Sequence, residues 1–123
     1  MRFWRFFFGF AGLYNLVIGA GMLFGSHAIA AQLGLSAGAE LYFIEFIGMM
    51  IAVFGVAYLR VAADPPAGRG LVFIGLLGKL GAAALTTAHQ HDLPPSTVAL
   101  GLSDIPFALL FLIFLLRGPR EAR

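Results

Sequence analysis

The chain has 123 residues, of which 60% are hydrophobic and 11% are charged, and its formal net charge is +2. Soluble domains carry about 25% charged residues, so this composition excludes a compact domain surrounded by water and indicates a lipid bilayer as the solvent. The sequence has no cysteine, which excludes structural disulfides, iron–sulfur clusters, thiol catalysis and zinc sites with cysteine ligands.

Four apolar runs follow one another, each long enough to cross about 30 Å of hydrocarbon, which takes about 20 helical residues. Sequence rich in Gly, Ser and Ala separates the first two runs, and proline pairs separate the later ones, because proline disrupts a helix interior. The sequence therefore predicts an all-α fold, a single domain that forms an integral membrane bundle of four transmembrane helices. The predicted spans are about 6–24, 41–59, 70–88 and 97–116.

The first span is followed by Ala28-Ile29-Ala30, which is typical of a signal-peptidase cleavage site. The apolar run before it has about 19 residues, whereas the apolar region of a signal peptide has about 7–15. We therefore expect this segment to be retained as the first transmembrane helix.

Basic residues predict the orientation of the spans. Seven of the eight basic residues flank the predicted spans on one side: Arg2, Arg5, Arg60, Arg69, Arg117, Arg120 and Arg123. The positive-inside rule places that side in the cytoplasm. The sequence thus predicts a multi-pass protein of the inner (plasma) membrane with both termini cytoplasmic.

Each span carries one polar residue that is costly in hydrocarbon, and each lies on a helix face that also carries small residues. These four residues are Asn15, Glu45, Lys79 and Asp104. Membrane helices pack through small residues, so we expect all four side chains to point into the bundle. A lysine side chain extends several ångströms, which lets Lys79 pair with Asp104, with Glu45 or with both.

Three interpretations of these polar residues stay open, and in one of them one or more of the residues face lipid or solvent. A buried ion pair can be purely structural and fix the register of the helices. The cluster can also be a site for a ligand, an ion or a proton, because two carboxylates face one ammonium group. Pro106 cannot donate to the carbonyl of Leu102, so we expect the fourth helix to kink or open beside Asp104.

The loop after the third span offers weak metal candidates, namely His89, His91 and Asp92, since histidine and carboxylate ligate divalent metals. Haem would need histidines within the spans, and His89 lies at best at a helix end. No cofactor is predicted. We expect Tyr14, Tyr42 and Tyr58 to be interfacial or packing aromatics, and Tyr42 and Tyr58 lie near opposite ends of one predicted helix, as an aromatic belt at the membrane interfaces predicts.

The sequence contains no Walker motif, no GxGxxG after a strand, no HExxH and no nucleophile elbow. It also has no basic stripe with interleaved aromatic residues outside the spans, which argues against nucleic acid as a partner. The expected partners are the lipid bilayer and either a second copy of the chain or a larger membrane complex.

Segments from all four spans carry a resemblance: GLYNLVIG, FIEFIGMMIAVFGVAYLRVAADP, RGLVFIGLLGKLGAA and SDIPFALLFLIFLL. Together they resemble the small four-helix bacterial membrane proteins grouped as DoxX-like or BphX-like. Some members of those families are associated with oxidoreductase systems or aromatic-degradation operons. The resemblance therefore implies an accessory role beside a membrane redox enzyme, and it carries over no catalytic residue.

Three functions follow from these observations. The first is a non-enzymatic accessory or small-ligand-binding subunit, with Asn15, Glu45, Lys79 and Asp104 around an interior polar site. The second is a proton-coupled carrier of small molecules in which Glu45 or Asp104 titrates. The third is a quinone- or haem-binding subunit of a membrane oxidoreductase, with its site near His89.

Overall fold

The computed structural model describes residues 1–35 and 38–122, and all regular elements within them are helices. Two 3₁₀ turns, Pro66–Gly68 and Gln90–Asp92, lie just before and just after the α-helix Arg69–Ala88. The α-helices are α1 (Arg2–Phe24), α2 (Ser26–Leu33), α3 (Ala39–Ala63), α4 (Arg69–Ala88), α5 (Pro95–Leu102) and α6 (Asp104–Arg117).

Four stretches have the length and apolar composition of membrane spans, which confirms the predicted all-α class with four such helices. These stretches are Arg2–Phe24, Ala39–Ala63, Pro66–Ala88 and Pro95–Arg117. Each extends beyond the predicted span, because the prediction followed apolar residues alone. Charged residues such as Arg2 and Arg60 continue the helices at their ends, where long side chains can reach the membrane surface.

The connection between the first two spans contains a helix that the sequence analysis did not anticipate. Helix α2 has eight residues, which is too short to cross a membrane, and it contacts α3. Its Ala, Gln and Leu residues favour helix. The helix ends at Gly34, whose φ of 71° is the left-handed conformation that glycine adopts readily.

Helices α1 and α3 pack backbone against backbone through two pairs of glycines. A Cβ atom added to Gly12 would lie 2.9 Å from the carbonyl oxygen of Gly55, and one added to Gly19 would lie 2.5 Å from that of Gly48. Only glycine allows this approach, so the small residues of these two spans form a packing face, as the sequence predicted.

The start of α1 and the end of α6 lie at one end of the bundle, here called the termini end, together with the connection between α3 and α4. Helix α2 and the connection between α4 and α5 lie at the opposite end, here called the loop end. An aromatic core fills the termini end and joins α1 and α3 to α6. Its rings are Phe7, Phe8, Tyr58, Phe111 and Phe114.

The rings of the aromatic core meet at close range. Ring centroids are 4.9 Å apart for Phe8 and Phe114 and 5.0 Å apart for Tyr58 and Phe111, both nearly edge to face. This geometry suits the charge distribution of aromatic rings. Phe8, Phe111 and Phe114 are fully buried, so the termini end is closed.

Arg69 fixes the end of α6 to the start of α4. Its guanidinium donates to the carbonyl oxygens of Phe114 and Pro119, both at 3.1 Å, and to that of Leu115. The same guanidinium lies 5.3 Å from the centroid of the Phe114 ring. The last carbonyls of a helix have no partner within it and carry partial negative charge, so the arginine stabilises the end of α6.

Candidate functional site

A cavity of about 430 Å³ lies among the four spans, between the aromatic core and the loop end. This volume falls in the range of about 300–1,000 Å³ that is typical of small-molecule sites. Its lining is mostly apolar, with polar side chains from every span. The larger apolar residues of the lining are Ile18, Met22, Phe46, Ile47, Met50, Ile51, Phe54 and Leu100.

Small residues on α4 leave this space open. At Gly75 an added Cβ atom would lie 2.6 Å from the Tyr58 hydroxyl, so the aromatic core fills the space beside that turn. One turn later Gly78 also lines the cavity, and an added Cβ there would meet no other atom within 4 Å. The Tyr58 ring fills the space beside Gly75, whereas no side chain fills the space beside Gly78.

Lys79 and Asp104 form an ion pair in the wall of the cavity. The Lys79 Nζ lies 2.9 Å from Oδ1 of Asp104, and the two side chains are 6% and 21% exposed. This confirms the predicted pairing of Lys79 with Asp104. The low exposure of both groups means that each depends on the other for compensation of its charge.

Three aromatic rings surround the Lys79 ammonium on its remaining sides. The Nζ atom lies 4.7 Å from the ring centroid of Phe107, 5.5 Å from that of Tyr58 and 5.7 Å from that of Phe111. Cations are attracted to the faces of such rings within about 6 Å. One carboxylate and three rings thus hold the charge that the sequence places within an apolar helix.

Asn15 links α1 to α3 and also borders the cavity. Its side-chain nitrogen donates to the carbonyl oxygen of Ile51 at 3.2 Å, and the residue is 8% exposed. Because the Ile51 oxygen is an acceptor, the amide nitrogen must face it and the Asn15 Oδ1 faces elsewhere. Within residues 1–35 and 38–122, this oxygen has no hydrogen-bond partner.

The fourth span is interrupted at Ser103, between α5 and α6, which confirms the opening predicted beside Asp104. Pro106 is the third residue of α6, where its missing N–H is tolerated because the first turn lacks partners for its N–H groups. Asp104 is the first residue of α6. The N-terminus of a helix carries partial positive charge, so the break places the carboxylate where it is favoured.

A chain of two hydrogen bonds ties the break to α1. The Ser103 hydroxyl donates to the carbonyl oxygen of Leu100 at 2.5 Å. It therefore accepts from the Tyr14 hydroxyl, which lies 2.8 Å away. These bonds fix the position of the turn that carries Asp104.

Glu45 lies apart from the other three predicted site residues. Asn15, Lys79 and Asp104 line the cavity, whereas Glu45 lines a separate groove with residues of α1 and α3, including Leu23 and Met49. It precedes Tyr58, which contacts Lys79, by 13 positions of α3, or about 20 Å along the helix axis at 1.5 Å per residue. A lysine side chain does not extend that far, and Lys79 pairs with Asp104 alone among the described residues.

Sequence reasoning missed the aromatic residues around Lys79. Tyr58 was expected either in an interfacial belt or in helix packing; it is 2% exposed and belongs to the aromatic core, while Tyr42 is 62% exposed. Of these two interpretations, packing is confirmed for Tyr58 and the belt is wrong. A signal was available, because Tyr58 follows Gly55 by three residues and so lies on the small-residue face of α3.

The histidines lie outside the cavity. His27 is on α2, and His89, His91 and Asp92 lie at or just after the end of α4; all four side chains are exposed. The described part of the chain contains no group of three or more His, Cys, Asp or Glu residues placed to hold a metal ion.

We compared the chain with models of known protein families, with curated proteins and with solved structures, and none of them matches it significantly.

Proposed function

We propose that this chain is a non-enzymatic, multi-pass membrane protein that binds a small lipophilic molecule within its four-helix bundle. The cavity between the aromatic core and the loop end is the proposed binding site. The positions of the basic residues support an inner membrane location with both termini in the cytoplasm. The resemblance to DoxX-like and BphX-like proteins supports an accessory role within a larger membrane system.

One observation carries the proposal. The cavity combines an apolar lining with polar groups from separate spans, among them Asn15, Tyr58 and the Lys79–Asp104 pair. A purely structural ion pair needs no open space beside it, and membrane helices gain stability by filling such space. An apolar cavity with a few converging polar groups is the usual form of a small-molecule site.

The cavity also has a route to the bilayer. Phe46, Ile47 and Met50 of α3 line it and are between 41% and 49% exposed on the outer surface of the bundle. Gly78 of α4 likewise both lines the cavity and is exposed. A gap between α3 and α4 with apolar edges admits molecules dissolved in the hydrocarbon of the membrane.

The test is a pair of substitutions on α4. Gly78→Phe places a ring in the gap, whereas Gly81→Phe is the matched control, because Gly81 has the same open surroundings but does not line the cavity. We expect the wild type and Gly81→Phe, purified in mild detergent, to retain a small molecule in native mass spectrometry. Gly78→Phe should lose it.

Two results would contradict this function. The first is a wild-type spectrum with no retained mass other than detergent and bulk phospholipid. The second is a retained molecule that survives Gly78→Phe unchanged, since it would then bind outside the cavity. Circular dichroism of the three proteins checks that the helical content is unaffected.

A further inference from the structure

We infer that the molecule bound in the cavity is electrically neutral and presents a hydrogen-bond donor, such as a hydroxyl group, on a lipophilic skeleton. The inference rests on the proposed binding function and names its ligand class. It follows from the charge of the cavity wall and from a count of its unpaired donors and acceptors.

The charges that line the cavity cancel. Lys79 and Asp104 are its formally charged lining residues at neutral pH, and they are paired with each other. Glu45 faces a different groove and cannot balance a charge brought in by a ligand. A charged group enters a poorly solvated site at a high cost unless a partner of opposite charge receives it. The site therefore favours a neutral molecule.

Most donors around the cavity already have an acceptor. One N–H of the Asn15 amide donates to Ile51, the Tyr14 hydroxyl donates to Ser103, and the Thr86 hydroxyl donates to the carbonyl oxygen of Ala82 at 2.7 Å. The Lys79 ammonium is covered by Asp104 and three rings, and the residue is 5% exposed.

Two of the unpaired atoms that line the cavity can only accept. Asn15 Oδ1 and Asp104 Oδ2 have no hydrogen-bond partner in the described part of the chain, and neither do the hydroxyls of Tyr58 and Thr97. No buried side-chain nitrogen or oxygen there is left without a partner, so these four atoms must reach open space, and all four residues line the cavity.

The burial of these residues marks the acceptors as part of a site rather than a solvated surface. Asn15 and Tyr58 are 8% and 2% exposed, so little besides the contents of the cavity can reach their free atoms. The Asn15 and Asp104 oxygens can only accept, while the hydroxyl of Tyr58 can donate or accept. A ligand hydroxyl donates its one hydrogen to one of these two oxygens, which an ether, ester or ketone oxygen cannot do.

The experiment compares four probes with the same ten-carbon chain: 1-decanol, 1-methoxydecane, decanoate and decylammonium. Binding to protein in lipid nanodiscs is measured by equilibrium dialysis. The signal from Gly78→Phe nanodiscs is subtracted, which removes partition into the lipid. Gly81→Phe serves as the control for the substitution itself.

We expect decanol to bind most tightly and about fivefold or more better than its methyl ether, because a net hydrogen bond is worth about 1 kcal/mol. An ether that binds as well as the alcohol would overturn the inference, and so would tighter binding of decanoate or decylammonium. Those outcomes leave the binding function standing. If no probe binds better to the wild type than to Gly78→Phe, and no molecule is retained on purification, the binding function itself fails.

Discussion

The two ends of the bundle are built from the same kinds of residue but differ in whether the space between helices is filled. At the termini end, Gly75 makes room for Tyr58 and Phe111, and the rings close the interior. Toward the loop end, Gly78 and Ala82 face open space. A small residue in a membrane helix thus indicates either close packing or a cavity, and the residue opposite decides which.

Lys79 lies at the boundary between these two regions. Its ammonium touches rings of the aromatic core, while its partner Asp104 borders the cavity. Substitutions of Lys79 and Asp104 therefore affect both the filled and the open region of the bundle, and we expect them to have the largest effects.

The largest effect is expected for Lys79→Met. The substitution leaves the Asp104 carboxylate largely buried without its cation, and breaking a buried pair in this way costs roughly 3 kcal/mol or more. Thermal unfolding in detergent should show the loss. The double variant Lys79→Met/Asp104→Leu should recover most of the stability and still lack the polar wall of the cavity. A double variant as unstable as the single one would show that the pair itself, and not the unpaired charge, sets stability.

The second effect concerns the interface between α1 and α3, where the two backbones meet at pairs of glycines. In Gly19→Val the new side chain meets the backbone of Gly48 and Ala52, and such overpacking typically costs about 1–3 kcal/mol. Gly21→Val is the matched control on the same helix, because an added Cβ there meets nothing within 4 Å. Reversible unfolding of both variants should separate them, and equal stability would show that the glycine contacts are not limiting.

The ion pair, the helix break and the glycine interface could all be predicted from the sequence, since each follows from a local rule. A charge in hydrocarbon needs a partner, which limits Lys79 to a few acids. Pro106 removes one backbone donor, and this opens the helix near Ser103. Glycines at helical spacing indicate a packing face, as found at Gly12 and Gly19.

The cavity and its aromatic wall could not be predicted. The chain has 13 Phe residues, so an aromatic residue in a span carries no information about whether it is exposed on the outside of the bundle, as Phe73 is, or surrounds Lys79, as Phe107 does. Glu45 shares the small-residue face of α3, yet that face meets α1 and not α4 at its level. Pairwise packing of helices, which a single sequence does not specify, decides both cases.

The smallest effect is expected at the break that carries Asp104. Ser103→Ala removes the acceptor of the Tyr14 hydroxyl and the donor to Leu100. Hydrogen bonds between membrane helices average about 0.6 kcal/mol, so the melting temperature should fall only slightly. Thr87→Val is the control, because its hydroxyl donates within its own helix to Ala83 and joins no second span.

The more informative readout for Ser103→Ala is ligand retention. If the bonds from Tyr14 through Ser103 hold the turn in place, their loss lets Asp104 move relative to Asn15, and the preference for decanol over its methyl ether should shrink while Thr87→Val keeps it. The packing of the termini end should not change, because the substitution leaves its aromatic rings and the Arg69 contacts untouched. An unchanged preference in Ser103→Ala would mean that the ion pair with Lys79 alone positions the Asp104 carboxylate. Lys79, which touches the aromatic core of the termini end, would then also fix the geometry of the cavity.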